Sequence, residues 1–136
     1  MIFNKFNSFS EALAEKVHNL GSDTLTLALC ATGNAPVATN TVLANLTQIA
    51  YTNLSSRTLS QSSSSQTSGT YTLKITDKVL TASGTVANFR YIVIYNDTAT
   101  NDELIGWYDF GREVSMSNTD TFTIDFDGTN GVLTLT

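Results

Sequence analysis

The segment Phe89-Arg90-Tyr91-Ile92-Val93-Ile94-Tyr95 constrains the fold more than any other part of this chain. Successive side chains of a β-strand point to opposite faces, so Phe89, Tyr91, Val93 and Tyr95 share one face and Ile92 and Ile94 the other. Both faces are apolar. A strand of that kind needs cover on both sides and a central place in a sheet. The chain has 136 residues, within the usual range for one domain, and size scaling gives it a folded surface of about 7,000 Å². A single core built around this strand is expected.

Much of the remaining chain repeats with a period of two. Leu25, Leu27 and Leu29 alternate with Thr24, Thr26 and Ala28, the pattern of a strand with one buried face. Further strands are expected at Tyr71/Leu73/Ile75, at Val79-Leu80, from Leu104 to Phe110, at Phe122/Ile124/Phe126 and from Val132 to Thr136. Turn residues separate them at Ala31 to Pro36, at Ser83-Gly84, at Asn96 to Asp102 and, as a hairpin, at Asp127-Gly128-Thr129-Asn130-Gly131. Thr41 to Ala50 fits either an irregular apolar anchor or one or two helical turns, and the turns are favoured. Residues 51–69, with four consecutive serines from Ser62 to Ser65, read as a flexible loop or a polar edge strand. The strand is preferred, because a linker there would leave two undersized pieces. The fold class is therefore mainly β: an antiparallel β-sandwich or partly closed barrel with one N-terminal α-helix. Residues 23–136 form the β part of a single domain.

The helix is expected over residues 8–20, where Phe9, Leu13, Val17 and Leu20 recur at helical spacing. Ser8 and Glu11 have capping-box spacing, and Gly21 suits the left-handed residue after the last turn. Residues 1–7 precede that cap as an N-terminal arm. Ile2, Phe3 and Phe6 are too apolar to be left in water there, so they are the candidate partner-binding residues.

Charged residues make up only 14% of the chain, against ~25% in ordinary soluble domains, and Ser, Thr and Asn carry the polarity. Such a surface suits lasting contact with other protein, and secreted adhesins and lectin-like modules share the composition. With 7 Lys and Arg against 12 Asp and Glu, and a pI near 4.5, phosphate backbones and anionic lipids repel it. Neither nucleic acid nor membrane is an expected partner. Met1 to Phe6 lacks the marks of a secretory leader and no apolar stretch approaches the ~20 residues that span a bilayer, so assembly in the cytoplasm is expected.

Candidate chemical groups have duller explanations. His18 is the only histidine, and the end of a helix favours a cation at its position. Cys30, the single cysteine, continues an apolar strand without an activating histidine and reads as a core residue. Asp125-x-Asp127-x-x-Asn130-Gly131 departs from a calcium loop in glycine register and in the missing glutamate, so a turn explains it better. Glu103, Asp109 and Glu113 read as ion-pair partners of Arg90 or Arg112. Trp107 and Tyr108 with Tyr91 and Tyr95 make either a sugar-stacking platform or core aromatics, the second preferred. No enzymatic activity, metal or cofactor is expected.

Several longer blocks resemble a known family: Phe3-Asn4-Lys5-Phe6, Val17 to Leu25, Asn40 to Ala44, Phe89 to Asp97, Leu104 to Asp109 and Phe126 to Leu133. They are similar to small proteins encoded among the structural genes of tailed bacteriophages, over nearly the whole chain. The resemblance implies a non-enzymatic virion protein like the head decoration, or cement, proteins. Those bind the major capsid shell after it expands and brace it against internal DNA pressure. It also implies a place on the head exterior, the major capsid protein as partner, and a homotrimer at three-fold lattice positions. The alternative is a tail or fibre component that binds host surface glycans.

Overall fold

The computed structural model describes residues 1–136. In chain order its elements are β1 (Asn4–Lys5), α1 (Ser8–Ala14), β2 (Leu25–Cys30), β3 (Gln61–Thr67), β4 (Thr70–Ile75), β5 (Lys78–Thr81), β6 (Val86–Asn96), β7 (Leu104–Met116), β8 (Thr121–Ile124) and β9 (Leu133–Leu135). A 3₁₀ turn spans Leu43–Asn45. The doubly apolar segment lies in β6, an inner strand of a four-stranded antiparallel sheet ordered β1-β7-β6-β2. The other sheets, also antiparallel, are β3-β4-β9 and the pair β5-β8.

The sheets are not closed into a barrel, and their inner faces share one core as in a sandwich. Leu25, Leu27, Leu29, Ile92 and Ile94 come to it from the large sheet, Leu73, Ile75, Leu80 and Ile124 from the smaller ones. The accessible surface is 6966 Å², as expected for this length. The opposite face of the large sheet is covered too. Phe6, Ala28, Cys30, Val93, Tyr95 and Leu104 form a second cluster there, packed under Leu43, Leu46, Tyr91 and Trp107. Within segment 41–50 only Leu43–Asn45 is helical, a single 3₁₀ turn in this cover, held by Asn45 Oδ1, which accepts from the amides of Thr41 (2.9 Å) and Val42 (3.2 Å). All six residues of β2 are consequently buried, where the alternation pointed to one buried face.

Several details depart from the sequence pattern. Phe89 packs with Ile92 and Ile94 instead of with Tyr91 and Val93. Between the pairs Phe89↔Val114 and Tyr91↔Asp109, residues Phe110 to Glu113 of β7 oppose Arg90 alone. This bulge, with Gly111 at φ 88°, shifts the parity of the strand. The helix stops at Ala14, well short of residue 20, because Lys16 takes the left-handed conformation expected of Gly21 (φ 69°) and turns the chain so that His18 and Leu20 are buried. Its cap is Asn7, with no side-chain cap hydrogen bond, so the Ser8–Glu11 box does not form.

The N-terminal arm is not free. Asn4 pairs with Trp107 and Lys5 with Gly106, and the Phe6 amide donates to Ile105 O at 3.2 Å. Gly106 permits this close approach, since a Cβ there would stand 2.7 Å from Asn4 O. The turn at residues 127–131 is not a hairpin either: β8 before it pairs with β5, and β9 after it pairs with β4. The serine run forms the edge strand β3, so residues 61–67 of the 51–69 segment are ordered.

Candidate functional site

β1 carries the first candidate residues, and its alternation sends them apart. Phe6 is fully buried in the second cluster, its ring 4.5 Å from that of Trp107. Phe3 packs on the main core, edge-on to Tyr108 at 5.5 Å. Only Ile2 faces solvent, with 80% of its surface exposed. The expectation that all three meet a partner is therefore corrected for Phe6, which the chain itself encloses, while Phe3 is half-buried against the core and Ile2 stays in water.

Beside β1 the chain builds an apolar groove of about 480 Å³. Phe3 and Lys5 from β1, Phe9 and Leu13 from α1, and Leu133 and Leu135 from β9 line it. β1 and β9 are edge strands of different sheets, and the short helix lines the groove with them. Leu135 is 55% exposed at the groove. The sequence had flagged the terminus as a strand but not its meeting with the N-terminal strand, which no local pattern encodes.

The groups considered for chemistry are occupied otherwise. His18 is not at the end of the helix, because the helix ended earlier; its ring is 5% exposed and stands 5.3 Å from the Phe9 ring. Asn96 Nδ2 donates to its Nδ1 at 3.0 Å, while Nε2 is buried without a partner. Burial pulls the imidazole below its ordinary pKa, against the opposing pull of the Glu103 and Asp23 carboxylates. Cys30 lies in the second cluster, where burial pushes its thiol up to about 11. Both oxygens of Asp127 serve its own turn: Oδ1 accepts from the amides of Thr129 (2.9 Å) and Asn130 (2.7 Å), and Oδ2 from Asn130 Nδ2 (3.0 Å). Those bonds hold its carboxyl below the usual range. No group of three or more His, Cys, Asp and Glu side chains comes together in a way that could hold a metal.

Asp109 takes a two-pronged ion pair from Arg90 at 2.7 and 3.0 Å, and the Arg90 guanidinium lowers its pKa. Glu103 accepts from the Asn101 amide, and the Arg112 guanidinium lies 5.2 Å from the Phe110 ring centre. The four aromatics do not make one platform. Trp107, Tyr91 and Tyr95 belong to the second cluster, whereas Tyr108 is in the main core with its phenol pushed up to about 12 by burial. Trp107 is half-buried on Phe6. Asn96, fully buried and hydrogen-bonded to His18 and Asp23, was not singled out by the sequence; its partners are 78 and 73 positions away.

Comparison with protein-family models, curated proteins and solved structures finds no significant match for the chain. No helix is long and apolar enough to cross a membrane.

Proposed function

We propose that this chain is a non-enzymatic structural protein of a tailed-phage virion, and that it decorates the outside of the head by binding the major capsid protein. The observation that carries the reading is the apolar groove between edge strands β1 and β9, with Leu135 exposed at it and Ile2 exposed just before β1. A sandwich with few charges, whose Asp109 and Asp127 are engaged in an ion pair and a turn and whose His18 and Cys30 are buried, suits a brick better than a catalyst. The family resemblance of its blocks supports the same conclusion. Covering one Ile or Leu side chain contributes about 1.5–3 kcal/mol before ordering costs. Many copies, acting as trimers at lattice three-folds, would then favour the assembled shell by mass action.

Co-sedimentation with undecorated, expanded capsids tests this. The intact protein should pellet with the shells, and the pair of substitutions Ile2→Asp and Leu135→Asp should abolish binding while leaving the circular dichroism spectrum intact. Failure of the intact protein to bind capsids would overturn the head assignment. Counting copies in purified virions separates the two locations, because shell proteins are many per particle and tail or fibre proteins few.

A further inference from the structure

We infer that His18, Asn96 and Asp23 form an acid-sensitive latch, which ties the segment after the helix to the loop between β6 and β7 and releases when the imidazole is protonated. Asn96 uses every polar atom of its side chain. Oδ1 accepts from the amides of Thr98 (3.0 Å) and Ala99 (3.2 Å), and Nδ2 donates to Asp23 Oδ2 (2.7 Å) and to His18 Nδ1 (3.0 Å). Asp23 Oδ2 also accepts from the Asn19 amide at 2.8 Å. Two more bonds lie alongside: the Thr24 amide donates to Thr98 Oγ1 (2.8 Å) and the Asp97 amide to Thr24 O (2.9 Å).

Two backbone donors and one carboxylate fix which way round the Asn96 amide sits, so it presents N–H to His18. Nδ1 must therefore be the bare acceptor and the ring neutral. A proton on Nδ1 would set donor against donor, and turning the amide would forfeit its bonds to Thr98, Ala99 and Asp23 at once. The charged ring would also stand buried with Nε2–H unpaired. The charged groups acting on the ring are Asp23, in the segment before β2, and Glu103, just before β7. Helix α1 offers it Phe9 and β6 offers Asn96, neither of them charged.

Burial outweighs the two carboxylates and lowers the folded-state pKa below 6.5. A lowered histidine binds its proton more readily when the latch is open. The latch is thus fully held above about pH 6.5, weakens as pH falls through that value, and loses no more below the folded-state pKa. Protection of the Thr98 and Ala99 amides against hydrogen exchange should fall about tenfold for each unit by which the ring is depressed.

The test is a pH titration of the whole protein by NMR, in which the lone histidine gives one Cε1–H signal. Its midpoint should lie below 6.5, and the protection factors of Thr98 and Ala99 should fall on acidification. In His18→Gln, whose side-chain carbonyl can accept from Asn96 but cannot titrate, protection should not depend on pH over the same range. A midpoint at or above 6.5 would overturn the latch, as would unchanged protection after the ring is charged, or a ring that stays neutral until the whole fold melts. Should His18→Gln not fold, the wild-type titration decides alone.

Discussion

Phe6→Ala removes a ring with no exposed surface, set among Ala28, Cys30, Val93, Tyr95 and Leu104, with Trp107 stacked at 4.5 Å. The backbone pairing of β1 survives the change, so the loss is that of transferring the ring to water plus the cavity left behind. Such truncations cost about 3–5 kcal/mol, and the sheet floor under Phe6 has little freedom to collapse into the gap. Total stabilities of small domains are about 5–15 kcal/mol, so this is a large share. At roughly 3–5 °C per kcal/mol for a domain of this size, the melting midpoint should fall by roughly 10–20 °C. Urea denaturation followed by circular dichroism measures the free-energy loss and a thermal scan the midpoint, with Ile2→Ala as a control that stays within about 0.5 kcal/mol because that side chain is already in water. A folded Phe6→Ala protein that loses less than about 1 kcal/mol would refute the enclosed ring and return residues 1–7 to the status of a free arm.

Gly106→Ala forces a methyl group against the Phe3 ring and the Asn4 carbonyl, so stability should drop by about 1–3 kcal/mol in a thermal melt and exchange of the Phe6 amide should quicken. The Cys30 thiol, with its pKa raised to about 11 in the core, should resist an aromatic disulfide reagent at pH 8 and react at once in denaturant; rapid native reaction would contradict its burial. Trp107, half-buried on Phe6, should be quenched by acrylamide to an extent between free tryptophan and a core ring, and quenching as efficient as for the free amino acid would show that the stack does not form.

The strands at Leu25, Tyr71, Val79, Phe89, Leu104, Phe122 and Val132 were legible in the sequence, as were the mainly β class, the interior place of β6 and the burial of Cys30. Each rests on which way neighbouring side chains point, a property of a few adjacent residues. Tertiary structure alone decided what those strands pair with. The arm becomes β1 because Gly106, about a hundred positions away, leaves room for it. Phe89 changes faces because β7 carries extra residues opposite the adjacent Arg90, and the 127–131 turn crosses between sheets because the strands on either side of it, β8 and β9, pair with β5 and β4. The groove and the His18–Asn96–Asp23 cluster belong to the same class, since they exist only where distant segments meet. Periodicity tells a residue which side of its own strand it occupies. Closing one core over all three sheets determines what lies on that side, and that is a property of the whole chain.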